Sequence, residues 1–205
     1  MRPLHRGRNA TKADVHLLEL DGERFAVKDY RSRPAWVRWT VGRWSLRREE
    51  RAYAALGGTE GVPGFAGRPD PLVLVTRYVE GKSLAAWDRN DPLPDRFFSR
   101  LKETLQRIHD RGVVQGDLHH RDVLIGTAGE PWLVDFSTSM TGGASGLPTR
   151  RWLWRLLARL DRRAVLKLQE RFVPGTLSAA ERDELERAPR VYRWVRGARR
   201  LLRSG

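Results

Sequence analysis

The sequence predicts an α+β protein of two lobes: a small β-rich N-lobe over residues 1–80 and a truncated, mostly helical C-lobe over residues 81–205. Two observations lead to it. Short apolar runs separated by turn signals fill the first part of the chain, and apolar stripes at helical spacing fill most of the rest. Between the helical stretches lies Val114-Gln115-Gly116-Asp117-Leu118-His119-His120-Arg121-Asp122-Val123-Leu124, followed shortly by Leu133-Val134-Asp135-Phe136.

The elements follow in order. Val15–Leu20 and Arg24–Lys28 are short apolar runs separated by Asp21-Gly22, a strong two-residue hairpin signal. After Pro34 the chain to Leu56 reads mainly as helix, with Leu46, Glu49, Tyr53 and Leu56 at helical spacing and Gly57-Gly58 as its stop. Leu72–Tyr78 is a strand, and Val79-Glu80-Gly81-Lys82-Ser83-Leu84 is a turn into the next element. Phe97, Leu101, Leu105 and Ile108 mark one face of a helix that ends at Gly112. Val123–Ile125 and Trp132–Val134 are strands joined by Gly126-Thr127-Ala128-Gly129, and 141–148 is a Gly-rich loop. Two helices close the chain. The first carries Leu153, Leu156, Leu157, Leu160 and Ala164 on one face, the last Val191, Trp194, Val195 and Ala198.

Composition narrows the function classes. The 205 residues suffice for one good core or two small lobes around a cleft. Cysteine is absent, which excludes disulfide frameworks, thiolate zinc sites and Cys nucleophiles. No run has transmembrane length, and the first residues lack the apolar core of a signal peptide, so a cytoplasmic protein, soluble or peripheral at the inner membrane, is expected. The net charge of +14 is carried mostly by Arg and points to a polyanionic partner or surface.

The combined pattern Gly116-Asp117-Leu118-His119-x-x-Asp122-Val123-Leu124, a hairpin, then Val134-Asp135-Phe136 carries the chemistry. With Ile108-His109-Asp110-Arg111-Gly112-Val113-Val114-Gln115 before it, it resembles the catalytic loop and metal-binding hairpin of small atypical kinases. These include RIO and Bud32-type kinases, aminoglycoside and choline phosphotransferases, and lipopolysaccharide core heptose and Kdo kinases. The resemblance spans roughly residues 5 to 140. It implies a minimal two-lobed protein-kinase-like fold and transfer of the γ-phosphoryl of ATP to a hydroxyl with Mg²⁺. Asp117 would then orient the acceptor hydroxyl and accept its proton, and Asp122 and Asp135 would be hard oxygen ligands for Mg²⁺.

Lys28 ends an apolar strand and suits contact with the α/β-phosphates, provided a carboxylate holds its ammonium. The next helix offers Glu49 and Glu50, and the family's spacing, seven residues before the closing Leu56, selects Glu49. Leu74-Val75-Thr76-Arg77-Tyr78-Val79-Glu80-Gly81 looks like the family's hinge, which puts Thr76 at the gatekeeper position and gives Arg77 and Val79 backbone groups for adenine. The implied acceptor is a small-molecule or lipid-linked sugar, with a protein Ser/Thr acceptor of the RIO type as the alternative.

Several features depart from the family pattern. The segment Arg6-Gly7-Arg8-Asn9-Ala10-Thr11-Lys12-Ala13 has a single Gly where a Gly-rich loop should cover the phosphates, although Thr11 and Lys12 could still touch them. Asp122 replaces the expected Asn, and Ser137 replaces the Gly after Asp-Phe. These departures keep open a non-catalytic kinase-fold scaffold on a membrane or RNA. His119 and His120 are adjacent, with no Cys or third His nearby, and do not make a zinc pattern. Trp36, Trp39 and Trp44 alternate with Arg38, Arg43, Arg47 and Arg48, and Trp152 and Trp154 lie among Arg150, Arg151 and Arg155. The last helix repeats this composition with Tyr192, Trp194, Arg193 and Arg196. Such segments suit an anionic membrane surface, and less readily RNA, or else a core with a solvated Arg face. The oligomeric state is not legible.

Overall fold

The computed structural model describes residues 2–5, 11–143 and 147–187. The expected terminal helix around Val191–Ala198 and most of the expected phosphate-covering segment, residues 6–10, lie outside the described residues. Residues 1–162 form one compact unit and residues 163–205 another. The architecture is α+β, with a β-sheet N-terminal part and a helical C-terminal part.

The N-terminal sheet has five strands in the order β1-β2-β3-β5-β4, every neighbouring pair antiparallel. They are β1 (Arg2–His5), β2 (Asp14–Leu20), β3 (Glu23–Asp29), β4 (Phe65–Asp70) and β5 (Val73–Arg77). Asp21 and Gly22 both take positive φ, 51° and 78°, which is the turn that matches the twist of a two-residue hairpin. It sets the β2–β3 register, so that Val15 faces Lys28 and Leu17 faces Ala26. β1 and β4 were not expected. β4 contains Gly67 and Pro69, and its pairing with β5 slips twice, so it lacks the alternation that marks a strand.

One helical rod follows β3, composed of α1 (Ala35–Val37), a π turn (Arg38–Gly42) and α2 (Arg43–Ala55). The π turn corrects the expectation of an uninterrupted helix. A β-carbon on Gly42 would come within 3.0 Å of the Tyr30 ring, so the glycine lets the rod approach the end of β3. Leu46, Ala52, Tyr53 and Leu56 are buried on its sheet side. Full burial of a Leu such as Leu46 stabilises by about 1.5–3 kcal/mol.

The segment that follows β5 holds β6 (Gly81–Ser83), where only a turn was expected. It pairs with β7 (Val123–Gly126), which pairs with β8 (Pro131–Leu133), all antiparallel. α3 (Phe97–Asp110) packs Phe97, Leu101, Leu105 and Ile108 inward, the face the sequence marks, and its closure at Gly112 takes φ of 74°. α4 (Pro148–Phe172) begins after the loop, and Ala158 and Asp161 are buried on it. Leu153, expected on the apolar face, is exposed. α5 (Ala179–Glu186), also unexpected, starts from a capping box in which Ser178 and Glu181 satisfy each other's backbone N–H groups. Among the described residues no helix is long and apolar enough to cross a membrane.

Candidate active site

The site begins at the end of β3. The five-stranded sheet leaves Lys28 pointing into a cleft of about 240 Å³, with Val15, Ala26, Leu74, Leu124 and Val134 as apolar walls. α2 brings Glu49 to the same place, with Lys28 Nζ 2.7 Å from Glu49 Oε2 and 2.9 Å from Asp135 Oδ1. One ammonium therefore joins the sheet, the helix and the β8-end loop, across 21 and 107 residues of sequence. Glu50, the other acidic residue of this helix, turns outward to Arg68 at 2.7 Å.

The protonation states follow from that geometry. Burial alone would lower the Lys28 pKa, but the facing carboxylates of Asp135 and Glu49 outweigh it and raise it well above the usual value. Burial pushes Glu49 up, with Lys28 pulling against it. Burial would likewise raise Asp135, yet the Lys28 charge and the Ser137 hydrogen bond hold it well below the ordinary carboxylate range.

Asp135 has φ of 63°, the left-handed region that costs most residues energy and that Asp tolerates better than most. It is held there from several sides. Its Oδ1 accepts the Ser137 N–H at 3.2 Å, so the residue standing where the family has Gly serves as a backbone donor. Gln115 Nε2 donates to the carbonyls of Val134 (2.8 Å) and Asp135 (3.1 Å). Phe136 is fully buried and meets the edge of the Tyr53 ring at 5.2 Å between centroids, anchoring the loop to α2.

The loop between α3 and β7 is shaped by Gly116, φ 79°, and by a bridge between Val114 and Met140. Asp117 follows, half-buried, with its carbonyl 2.8 Å from His119 Nδ1 and its carboxylate 3.9 Å from that same nitrogen. Asp122 turns back to accept the His119 N–H at 2.8 Å, and its own carbonyl takes the Val134 N–H at 2.9 Å. Burial raises the Asp122 carboxyl to about 8, helped by the charges of Asp135 and Asp117 and opposed by the His119 N–H and Lys12. Lys12, from the expected phosphate-covering segment, lies close enough to favour the ionised form of both Asp122 and Asp135.

At the expected hinge, Thr76 is buried on β5 opposite Ala26, and Thr76, Arg77 and Val79 all line the cleft. The Arg77 N–H is donated to the Gly64 carbonyl at 2.7 Å, so the polar backbone group Arg77 can offer a ligand is its carbonyl. Its side chain pairs with Glu23 and lies 4.9 Å from the Phe25 ring centroid.

Asp161 was not foreseen. Only 1% exposed, it accepts the N–H groups of Gln115 at 2.7 Å and Gly116 at 2.8 Å, and lies 3.4 Å from His109 Nε2. A carboxylate capping two consecutive amides fixes the backbone immediately before Asp117. The available signal was Asp161 at helical spacing from Leu157 and Ala158, an acidic group on an otherwise apolar stripe.

All eight site residues expected from the sequence thus lie on the cleft or on the two loops beside it. Among the described residues no group of three or more His, Cys, Asp or Glu is arranged around a metal, and His119 and His120 form no such cluster. The arrangement offers an apolar slot, a fixed ammonium at its inner end, and carboxylates from two adjoining loops.

No protein-family profile matches the chain. Over 128 residues it is 34% identical to the 3-deoxy-D-manno-octulosonic acid kinase of Xylella fastidiosa strain M12, covering 61% of this chain and 47% of that protein. The same values hold for the enzyme of that name in strain 9a5c, and identity is 35% with the one in strain Temecula1. The chain thus spans about half the length of the curated relatives it matches. These matches make the chain similar to lipopolysaccharide-type sugar kinases.

Proposed function

We propose that this protein is a phosphotransferase that uses Mg²⁺ and ATP to phosphorylate a hydroxyl of a sugar or lipid-linked sugar. The observation that carries it is the Lys28 ammonium bridging Glu49 and Asp135 at the inner end of an apolar cleft. An isolated Lys needs no such bracing, but one that must meet phosphate oxygens at a set position does. The similarity to 3-deoxy-D-manno-octulosonic acid kinases supports an acidic sugar as the acceptor class.

The residues fit a hard divalent cation. Burial raises the Asp122 carboxyl to about 8, the neighbouring charges of Asp135 and Asp117 add to it, and a cation there would favour the ionised form. Asp135 Oδ1 is used by Lys28 and Ser137, while its Oδ2 takes no hydrogen bond among the described residues. Asp122 and Asp135 would hold the ion. Bound Mg-ATP supplies a γ-phosphoryl group whose negative charge the cation shares.

The chain's own contributions are positional. Val15, Ala26, Leu74 and Leu124, which line the cleft, would offer apolar surface to an adenine, the Arg77 carbonyl and Val79 would offer it polar backbone groups, and buried Thr76 would limit its depth. Lys28, kept protonated by its two carboxylates, neutralises phosphate oxygens. Asp117 would hydrogen-bond the acceptor hydroxyl and take its proton as that oxygen bonds to the γ-phosphorus and the bond to the β–γ bridging oxygen breaks, with ADP as the leaving group. Asp161, through the Gln115 and Gly116 amides, keeps Asp117 in place.

A transfer assay tests this, with γ-labelled ATP, Mg²⁺ and a panel of 3-deoxy-D-manno-octulosonic acid-bearing sugars, neutral sugars and proteins. The expected result is label on the acidic sugars, falling by about 10²–10⁴-fold in Asp117→Ala. ATP binding without transfer to any acceptor, unchanged by Asp117→Ala, would instead favour a non-catalytic nucleotide-binding scaffold.

A further inference from the structure

The helical rod that delivers Glu49 to the cleft carries an unusual outer surface. Trp36, Trp39 and Trp44 are 59%, 67% and 60% exposed, where side chains of this size are ordinarily buried. In an uninterrupted α-helix Trp44 would stand about 80° round from Trp36. The π turn over Arg38–Gly42 advances each residue by a smaller angle, which brings Trp44 back toward the direction of Trp36, with Trp39 beside them. The turn thus gathers three indoles onto one side of the rod.

The same surface is cationic. Arg38, Trp39 and Arg43 line a hollow of about 230 Å³ against the Asp70-Pro71-Leu72 turn. Neither Arg38 nor Arg43 has a carboxylate partner among the described residues, and the Arg38 Nε is buried without a hydrogen bond. The one carboxylate at the hollow, Asp70, spends Oδ1 on the Leu72 N–H at 2.7 Å. The guanidiniums of Arg43 and Arg48 lie 5.1 and 4.3 Å from the ring centroids of Trp39 and Trp44, pairing cation and indole twice along the rod.

We propose that the surface carrying Trp36, Arg38, Trp39, Arg43 and Trp44 docks this protein onto an anionic lipid bilayer. Indoles rest at the headgroup level, where their apolar rings and N–H groups are both satisfied, and Arg beside them meets lipid phosphate. Arg38 and Arg43 then find in a headgroup phosphate the acceptor they lack in the protein. Indoles paired with guanidiniums suit a layer of phosphate headgroups, and single-stranded RNA stacked on the same rings is the competing occupant that the test separates. The inference is independent of the phosphotransfer proposal, since docking needs neither nucleotide nor acceptor.

Flotation of the full chain with vesicles, in the absence of nucleotide, tests it. The protein is expected to float with equimolar phosphatidylcholine–phosphatidylglycerol vesicles and to stay at the bottom with phosphatidylcholine alone. Trp36→Ser/Trp39→Ser should weaken partitioning at least about tenfold, and Arg38→Gln/Arg43→Gln should abolish the preference for acidic lipid. Brominated lipid should quench the wild-type tryptophan emission, a readout that needs no variant to fold. Absent flotation, absent quenching, or unchanged binding by either folded variant overturns the proposal. So does stronger retention on single-stranded RNA than on acidic vesicles that the tryptophan variant loses.

Discussion

Asp161 Oδ1 holds the Gly116 N–H at 2.8 Å, one residue before Asp117, so a buried carboxylate sets the backbone from which the candidate base projects. Its partner oxygen holds Gln115 in the same way, at 2.7 Å. Asp161→Asn replaces one acceptor oxygen by a donor facing an N–H. It is expected to destabilise the fold by about 2–4 kcal/mol. Phosphotransfer kcat should fall beyond that loss, measured at a temperature where the variant remains folded, with the KM for ATP little changed because the Lys28 bracket is intact. A kcat equal to wild type would show that the two amides need no such anchor.

The Lys28–Glu49 pair predicts non-additivity. Lys28→Met leaves Glu49 buried without its counter-charge and should lower stability by about 3–5 kcal/mol at pH 7. Adding Glu49→Gln removes the more deeply buried of the two carboxylates that lose Lys28, leaving the more exposed Asp135, so the double variant should be more stable than Lys28→Met alone, read by denaturant midpoint. Both variants should lose nucleotide affinity. A double variant less stable than the single would show that Glu49 stabilises α2 by some means other than Lys28.

Asp122 gives the pH dependence. Its folded pKa, about 8, lies above the usual aspartate value, so between those two values the folded state holds a proton that the unfolded state has released. Stability therefore falls as pH rises through that window. Asp122→Asn should flatten the dependence and raise stability near pH 8 by about 1–2 kcal/mol in metal-free protein. Mg-nucleotide binding to the wild type at pH 7 should release close to one proton from this carboxyl, measurable with an indicator dye in weak buffer. The asparagine variant should release none from it, and equal release by both would remove Asp122 from the ion's surroundings.

Gly61 has φ of 79°, and a β-carbon there would come within 2.6 Å of Thr104 Cγ2 on α3 and 3.0 Å of the Pro131 carbonyl. Its own carbonyl accepts the Leu133 N–H at 2.7 Å, at the end of the strand that leads to Asp135. Gly61→Ala is expected to cost about 2–4 kcal/mol, from backbone strain and overpacking together. Thermal unfolding measures it, and a shift of less than a degree would mean that α3 yields without cost.

The elements legible in the sequence were those with local causes. Asp21-Gly22 announces its hairpin, the Phe97–Ile108 stripe its helix, and the count from Leu56 to Glu49 finds the partner of Lys28. β4 was hidden because Gly67 and Pro69 interrupt it, and the π turn because nothing in a helical stripe distinguishes a five-residue closure from a four-residue one. α5 could have been found, since Ser178 and Glu181 stand at capping-box spacing. Asp161 could not be assigned to Gly116 by spacing, because 45 residues separate them and only the packed fold joins them.

Gln115 has one more effect. Its amide clamps the loop before Asp117 to the carbonyls of Val134 and Asp135, while its own Oε1 is buried without a partner. A neutral carboxamide neither gains nor loses a proton over the whole range in which proteins work. The hinge-pin between the two loops is therefore indifferent to acidity. The contribution of this one link to the spacing of the two loops is the same at every pH at which the protein is folded.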